Sequence, residues 1–441
     1  MKRLLVLSLL AAACAGDAHE TEISQSTATF GPPIAQNPWA AIDFATQHGD
    51  TGASDTSTLP GPGVGTVAVE RLDLLAACPS IFLLRSGRAV AVCTKLLNQT
   101  PTVVLFDPEA LTTVTTRALA RGSLFGGVYP YLDERERLVV VDGENNLLRI
   151  DTQDLHVEQT IALGLAGDHV VGLIPDYEGR DWFASEGGVI GTVTREGMIT
   201  TLHLGERMQN SIASAPSGIA VISDQALYLF SAGPTIRARI PYDRGAARKP
   251  GQLSWGSGTT PTYFGPRTGS DYVAITDNAL PLRLIVVRND GSPVCTLALP
   301  GIDGTENSPI GAGRSVFVAS TYGYAYPALP ADAGPSAEAP FVGGIARVDV
   351  EDDGCRLVWS AAVRSVAVPK LSLADGLIYT VAQRDDGFAY TALDAADGML
   401  LAQQPLGEIA APMQLAATIA AGRTLFQGTT TSIVRIRPAQ R

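Results

Sequence analysis

The stretch that decides the fold is LADGLIYTVAQRDDGFAYTALDAADGMLLAQQPLG, which runs from Leu373 to Gly407. It contains short apolar runs separated by Asp-Gly turns. Apolar runs of four to eight residues between glycine-rich turns are typical of β-strands, whereas an amphipathic helix would show a 3.6-residue period. The stretch therefore predicts a unit of antiparallel strands.

The same rhythm recurs along the chain from Val67 onward. Units of this kind begin near the following residues: Arg88, Arg137, Asp181, Gly218, Asp271, Arg314, Gly376 and Arg423. Their starts are spaced by roughly 37 to 62 residues, which brackets the period of about 40 to 50 residues of propeller blades once loop insertions are allowed. The sequence predicts an all-β fold, a β-propeller of eight four-stranded blades, with seven blades as the alternative.

The last unit has only two strands after Arg423. The segment TVAVERL, Thr66 to Leu72, is a strand-like run that could cross from the N-terminal side and supply the missing outer strand. Closing the ring in this way removes the exposed sheet edge that an open array would leave. We expect the propeller domain to span residues 66–441.

The stretch from Leu373 to Gly407 resembles a repeat of the pyrroloquinoline-quinone-type propellers, the quinoprotein dehydrogenase-like family. Those repeats combine Gly-x-hydrophobic-Tyr, an Asp-Gly turn, an aromatic-x-Ala-Leu-Asp-Ala strand and a Gly turn. CRLVWSA, Cys355 to Ala361, is similar to the Trp-bearing outer strand of another such repeat. The resemblance implies the propeller fold and is nearly silent on activity, because one fold hosts many functions.

The N-terminus predicts export. Lys2 and Arg3 precede the apolar run Leu4–Leu10 and the small-residue end AAACAG, so residues 1–13 are interpreted as a signal peptide. LAAAC resembles a bacterial lipobox, which would make Cys14 the lipidated first residue of a protein anchored to the envelope, at the outer membrane or the periplasmic face. Ordinary cleavage and secretion is the alternative. Residues 14–65 are rich in Ser, Thr, Gly, Pro and acids, and we expect a disordered, low-complexity tether there.

Four cysteines remain beside Cys14, an even number that suits disulfides in an oxidising compartment. The blade assignment places Cys78 and Cys93 on adjacent strands of one blade, and Cys295 and Cys355 on outer strands of consecutive blades. We expect these two pairs to be bonded.

The formal net charge is −12, which argues against nucleic acid as a partner and against an anionic membrane surface. Contact with a membrane is expected only through the N-terminal lipid. We expect a monomer whose top-face loops bind an envelope protein, a peptide or a small ligand.

Two loops of each blade reach the same face of a propeller: the loop entering the innermost strand, and the loop joining the second strand to the third. Polar residues concentrate in such loops around the fifth and sixth predicted blades, which predicts a ligand site at the channel mouth. The candidates are Thr260, Asp277, Asn278, Glu306, Asn307, Tyr322, Lys370 and Arg384. For Asp277 and Asn278 the alternative is an ordinary turn pair, and for Lys370 it is a structural ion pair with Glu306 or Asp277.

Familiar catalytic signatures are missing from the sequence: it has no H-E-x-x-H, no G-x-S-x-G and no G-x-x-x-x-G-K. We therefore predict a non-catalytic binding or scaffold module. The alternative is a calcium-dependent propeller enzyme, either a quinone-dependent dehydrogenase or a lactonase-type hydrolase. The resemblance implies calcium, and with it pyrroloquinoline quinone, for the dehydrogenase. Asp277, Asn278 and Glu306 are oxygen ligands suited in type to calcium, and Lys370 or Arg384 could then polarise a substrate carbonyl. A purely structural surface protein is a third hypothesis.

Overall fold

The computed structural model describes residues 30–122, 128–208, 210–231, 233–320, 329, 333–336 and 343–440. Within these ranges the secondary structure consists of 33 strands in eight sheets, and no helix is present. Each sheet contains a blade of four antiparallel strands, and one sheet has a fifth strand that pairs in parallel with the innermost strand of its blade. The predicted eight-bladed β-propeller is confirmed, and seven blades is wrong. No helix of the described residues is long and apolar enough to cross a membrane.

The strands are numbered in chain order, and the blades are numbered from the first complete sheet. Before blade 1 come β1 (Thr56–Ser57) and β2 (Val67–Asp73). Blades 1 to 4 contain β3 (Ala76–Leu83), β4 (Ala89–Lys95), β5 (Pro101–Asp107) and β6 (Thr112–Ala118); β7 (Tyr131–Leu132), β8 (Leu138–Val141), β9 (Asn146–Ile150) and β10 (Val157–Ala162); β11 (Val170–Pro175), β12 (Asp181–Ser185), β13 (Val189–Val193) and β14 (Ile199–His203); β15 (Ala213–Ala215), β16 (Gly218–Ile222), β17 (Ala226–Ser231) and β18 (Thr235–Pro241).

Blades 5 to 8 contain β19 (Thr262–Phe264), β20 (Tyr272–Thr276), β21 (Arg283–Arg288) and β22 (Pro293–Ala298); β23 (Ile310–Ala312), β24 (Ser315–Ala319), β25 (Ile345–Glu351) and β26 (Gly354–Ala361); β27 (Lys370–Ser372), β28 (Leu377–Arg384), β29 (Gly387–Asp394) and β30 (Leu400–Pro405); β31 (Ala417–Ala420), β32 (Thr424–Gly428) and β33 (Ser432–Pro438). Blade 8 receives its fourth strand from β2, which pairs antiparallel with β33 from Val67 opposite Pro438 to Asp73 opposite Ser432. The predicted closure by the N-terminal strand is confirmed.

The hydrophobic core is a ring of eight clusters, one at each seam between neighbouring blades. The cluster between blades 1 and 2, for example, contains Phe82, Val103 and Leu138. The outermost strands contribute little to these clusters, and β6 is mostly exposed. Burial of apolar surface at the seams therefore holds the blades to one another, and the first blade to the last.

Both predicted disulfides are present. Cys78 on β3 is bonded to Cys93 on β4, with Cα atoms 4.0 Å apart. Cys295 on β22 is bonded to Cys355 on β26, with Cα atoms 5.9 Å apart, and this bond joins the outer strands of blades 5 and 6.

The predicted disordered tether is wrong for residues 30–65, which fold inside the ring. We call residues 44–57 the plug and the face where the first strand of each blade turns into the second the bottom face. Residues 30–42 cross the bottom face: Phe30 packs edge-on against Phe317, and the amide of Ala41 donates to the carbonyl of Leu132 at 2.9 Å. The chain then rises into the channel. The signal peptide, Cys14 and residues 14–29 lie outside the described residues.

The plug occupies the axis because its carbonyls meet amides of the innermost strands. Its strand β1 pairs in parallel with β27, Thr56 opposite Leu371. Four successive inner strands donate amides to plug carbonyls: Ser214 to Thr51 (2.7 Å), Tyr263 to Gly52 (2.8 Å), Gly311 to Ser54 (3.0 Å) and Leu371 to Asp55 (3.0 Å). Small side chains let the backbone of the plug pass through the narrow channel. The richness in small residues that predicted disorder therefore belongs to an ordered, hydrogen-bonded segment.

Candidate ligand-binding site

An axial cavity of about 340 Å³ opens among the loops of the face opposite the bottom face, which we call the top face. This is the face reached by the loops that enter the innermost strands, as the sequence predicted. Loops of blades 1, 2 and 4 to 8 contribute to its wall. The volume is at the small end of the range for ligand pockets.

The floor of the cavity is the tip of the plug. The chain reverses between Thr46 and Gly49, whose backbone groups bond to each other at 3.0 and 3.2 Å. Gly49 has a φ of 93°, and a Cβ added there would lie 2.8 Å from the carbonyl oxygen of Thr56. A glycine is therefore required at this turn. The turn presents Gln47 and His48 to the cavity.

Beneath the floor lies a buried polar cluster centred on Asp55. Its carboxylate forms an ion pair with Lys370 and accepts a hydrogen bond from Ser308. His48 Nδ1 lies 3.0 and 3.1 Å from the two carboxylate oxygens, and Lys370 Nζ also donates to the carbonyl of Gln47 at 2.7 Å. Burial alone would raise the pKa of Asp55, but His48 and Lys370 outweigh it and hold the pKa below its ordinary value.

This cluster is built for structure. Ser308 Oγ lies 3.1 Å from His48 Nδ1, the same nitrogen that contacts Asp55. A serine–histidine–aspartate relay needs the aspartate and the serine on opposite ring nitrogens. The three residues therefore lack the arrangement of a catalytic triad.

Glu306 forms part of the cavity wall. Burial raises the pKa of its carboxyl well above the ordinary value, against the opposing effects of the Leu253 amide, the Arg248 charge and the Ser254 hydroxyl. Gly258 lies against this carboxyl, and a Cβ there would come within 2.7 Å of Oε2. Burial, together with the charge of Glu306, raises the pKa of Tyr129, which lines the same cavity.

The remaining wall is largely apolar and partly strained. Its apolar members are Ala77, Pro79, Leu96, Val128, Leu253, Val368, Met413, Leu415 and Ala416. Three lining residues other than glycine have positive φ angles: Gln99 (53°), Met413 (48°) and Gln414 (63°). Left-handed backbone at such residues costs of order 1–3 kcal/mol and is concentrated at functional sites. The strained backbone at these three residues indicates that the fold imposes a particular shape on this wall.

The cavity brings together only part of the predicted set. Thr260 and Glu306 line it. Lys370 lies below the floor, paired with Asp55 rather than with Glu306 or Asp277. Asn307 is buried in the same loop as Glu306 and directs its side-chain amide toward the carbonyl of Ala319 at 3.5 Å. Tyr322 lies outside the described residues.

The remaining predicted residues serve other roles. Asp277 accepts hydrogen bonds from the amides of Ala279 (3.1 Å) and Arg283 (2.8 Å) and pairs with the Arg283 guanidinium. Asn278 donates to the carbonyls of Arg244 (2.8 Å) and Ala247 (3.0 Å). Both residues stabilise loops, which was the turn-pair alternative. Arg384 pairs with Asp386 at 2.8 Å, and neither lines the described part of the cavity.

The structure does not favour the predicted metal set Asp277, Asn278 and Glu306. The carboxylate of Asp277 is engaged by Arg283 and by backbone amides. Calcium requires several converging oxygen ligands with negative charge among them. These residues do not fit a calcium ion, nor a quinone held through one.

Sequence reasoning missed His48, Asp55 and Ser308. His48 and Asp55 belong to the segment QHGDTGASD, residues 47–55, whose small residues suggested disorder. The signal available was the grouping of Gly49, Asp50, Gly52 and Asp55 within a few residues, which is a composition of tight turns as much as of tethers.

Fold and cavity define this chain as an eight-bladed β-propeller with an axial site on one face, and solved structures are similar to it in fold. The quinohemoprotein alcohol dehydrogenase from Comamonas testosteroni is 11% identical, with a TM-score of 0.57, over 92% of this chain and 82% of that one. The WD40 domain of SCAP from fission yeast is 9% identical, with a TM-score of 0.51, over 85% and 98%. At these identities the likeness shows the fold alone.

Sequence comparison adds little. No family model matches the chain. An uncharacterised protein from Archaeoglobus fulgidus is 31% identical over 150 residues, which is 31% of this chain and 29% of that protein. The chain thus spans less than a third of that relative.

Proposed function

We propose that this chain is an exported β-propeller that acts by binding, and that the top-face cavity receives the ligand without catalysing a reaction on it. The observation that carries the proposal is that the ionisable groups at and below the floor are already engaged. Asp55 is satisfied by Lys370, His48 and Ser308, and burial raises the pKa of the Glu306 carboxyl well above its ordinary value. An apolar wall above an engaged floor favours recognition over chemistry.

Residues 30–42 and the cavity lie on opposite faces of the propeller, which supports a binding role for a protein that is tethered through its N-terminus. The described chain begins at Phe30, which packs against Phe317 on the bottom side of blade 6. The cavity opens on the opposite face. A lipid on Cys14 would therefore hold the protein by its bottom face and leave the cavity open to a ligand. The two disulfides support an oxidising compartment.

Binding at the cavity is tested with N-phenyl-1-naphthylamine, an uncharged dye that fluoresces in apolar surroundings. We expect saturable binding to one site in the wild type and its loss in Ala77→Trp, which fills the cavity from β3. Val114→Trp is the matched control, because Val114 is an exposed residue on the outer strand of the same blade. Equal dye binding by the two variants, or none by the wild type, would overturn the proposal.

The enzyme alternative has its own test. Thermal unfolding is measured with calcium, with and without pyrroloquinoline quinone. A ligand at 100 times its Kd stabilises the folded state by about 2.7 kcal/mol, and we expect no such shift. A shift that disappears in the Asp277→Ala, Glu306→Ala double variant would favour the quinone-dependent dehydrogenase instead.

Anchoring is tested by fractionating cells that express the full chain or its Cys14→Ser variant. We expect the full chain in the membrane fraction and the variant in the soluble fraction of the envelope. The same distribution for both proteins would remove the lipid from the proposal.

A further inference from the structure

Lys95 is a cation in the cavity wall that no carboxylate of the described residues neutralises. It is the last residue of β4, and its side chain is half-buried. Its ammonium group donates one hydrogen bond, to the carbonyl of Leu74 at 3.2 Å. Because an ammonium group has three donors, two of them remain for a ligand in the cavity.

The other ionisable groups near the cavity differ from Lys95 in their surroundings. Lys370 is neutralised by Asp55 below the floor, and His48 contacts the same carboxylate and the side chain of Gln47. Glu306, the carboxyl group of the wall, precedes β23 of blade 6, which is three blades around the ring from Lys95 in blade 1. The side of the cavity formed by blade 1 is therefore positively charged.

Further hydrogen-bond donors lie beside Lys95 on a well-defined loop. Thr94 and Gln99 also line the cavity, and a hydroxyl and a side-chain amide can each donate. The loop between β4 and β5 is closed by backbone bonds from the Lys95 amide to the Thr100 carbonyl (3.1 Å) and from the Gln99 amide to the Lys95 carbonyl (2.8 Å). This loop thus holds three donor side chains against one side of the cavity.

We propose that the cavity binds amphipathic monocarboxylates, whose carboxylate pairs with Lys95 while an aliphatic body lies against the apolar wall. The inference rests on the proposed function, since it names the ligand class of the same site. Hydrogen bonds between an ammonium group and a carboxylate are stronger than those between neutral groups. The apolar wall, which includes Leu253, Val368 and Leu415, favours a body without further polar groups, because a buried polar group needs a hydrogen-bond partner.

The volume limits the size of that ligand. A water molecule takes up about 30 Å³ of the liquid, so 340 Å³ holds roughly eleven groups of that size. An eight-carbon chain with one polar head is of this order. The matched probes are therefore octanoate, octanamide and octylammonium, which share a tail and differ in the charge of the head.

The experiment measures displacement of bound N-phenyl-1-naphthylamine by each probe at pH 7. We expect octanoate to displace the dye at concentrations at least tenfold lower than octanamide or octylammonium require. Equal or better displacement by octanamide or octylammonium would overturn the selectivity while leaving the cavity as a binding site. If the wild type does not bind the dye, or none of the three probes displaces it, the proposed function itself is wrong.

Variants at Lys95 assign the selectivity to one side chain. Lys95→Met removes the charge and keeps the length of the side chain, so we expect octanoate to bind about tenfold more weakly and octanamide to bind as before. Lys95→Arg keeps the charge and should retain the preference for octanoate. Arg117→Met is the matched control, because it removes a positive charge from the exposed outer strand of the same blade. Octanoate binding that is unchanged in Lys95→Met, or that falls equally in Arg117→Met, would contradict pairing with Lys95.

Salt dependence of the wild type provides a second test that needs no variant. Salt screens the attraction between a half-exposed ammonium group and a carboxylate. We expect octanoate to displace the dye less effectively as the sodium chloride concentration rises from 20 mM to 500 mM, relative to octanamide at the same concentrations. An octanoate-to-octanamide ratio that does not change with salt would overturn the ion pair.

Discussion

Lys370 neutralises a carboxylate that has no access to water, since Asp55 is fully buried and Lys370 nearly so. Removing one partner of a buried ion pair leaves the other charge uncompensated and costs about 3–5 kcal/mol. We predict that Lys370→Met lowers the stability by this amount, measured as the urea midpoint of unfolding. Asp55→Asn combined with Lys370→Met should lose less than Lys370→Met alone. If the Lys370→Met variant were as stable as the wild type, His48 would be sufficient to compensate the charge of Asp55.

We predict that Glu306 makes the free energy of unfolding depend on pH, with a sign opposite to that of a paired carboxylate. Because its pKa is raised in the folded protein, the folded state retains a proton that the unfolded state releases above its ordinary pKa. Stability is therefore lost as the pH rises from the unfolded pKa toward the folded one, by up to about 1.4 kcal/mol per pH unit. Arg248, Tyr129 and the Ser254 hydroxyl are the neighbours that modulate this effect.

We predict that Glu306→Gln unfolds at a higher temperature than the wild type at pH 8 and at a similar temperature at pH 4. The glutamine has no proton to release, so its stability lacks this slope. A difference between the two proteins that does not change with pH would contradict a raised pKa of Glu306.

At the residue scale, the sequence predicted the face on which the cavity opens, but it did not predict the contacts of most of the candidate residues. Thr260 and Glu306 were recoverable because loop position fixes the face of a propeller on which a residue lies. The prediction for Asp277 failed to identify its partner, because an aspartate at the end of a strand has the same sequence pattern whether it binds a ligand or Arg283. The partner of Lys370 was not recoverable, since Asp55 lies 315 residues away in the chain.

The plug is the element that composition failed to predict. Its stabilisation comes from backbone hydrogen bonds to strands of four blades, and hydrophobicity patterns carry no information about such bonds. The blades themselves were predictable, because strands such as β8, β16 and β20 are largely apolar runs that are bounded by turns containing glycine or aspartate.

A chain that begins at Thr66 tests the contribution of the plug against one that begins at Phe30. Each lost hydrogen bond costs about 0.5–1.5 kcal/mol, so we predict a lower melting temperature for the shorter chain. We also predict faster hydrogen exchange at the amides of Ser214, Tyr263, Gly311 and Leu371, which donate to the plug. The amides of β5, remote from the axis, serve as the control. Unchanged exchange at the four amides would contradict a structural role.

At the scale of the whole molecule, the two disulfides constrain the unfolded chain to different extents. Cys295 and Cys355 are 60 residues apart, and Cys78 and Cys93 are 15 apart. The loop-closure model assigns about 4 kcal/mol to the longer loop and about 3 kcal/mol to the shorter. We predict that replacing both cysteines of the longer pair by alanine lowers the urea midpoint more. A larger effect of the shorter pair would mean that packing at the fully buried Cys78 and Cys93 dominates.

The architecture as a whole was the most predictable feature. Repeat spacing gave the eight blades, and the incomplete last blade required a strand from elsewhere, which β2 supplies. The closure of the ring could be predicted from the strand pattern of a single blade, because an unpaired sheet edge is costly wherever it occurs.

The plug and β2 also constrain the order in which the protein can fold as it is synthesised. Residues 30–73 are made before any blade exists, yet their hydrogen-bonding partners extend from Ser80 to Ala439. Domains generally acquire structure in the order in which they are synthesised, but here the earliest residues must wait for the latest. β2 can complete the eighth blade only after β33 (Ser432–Pro438) has been made, so the ring closes late in synthesis. A nascent chain that stops before Ser432 keeps an open ring with an unpaired β2.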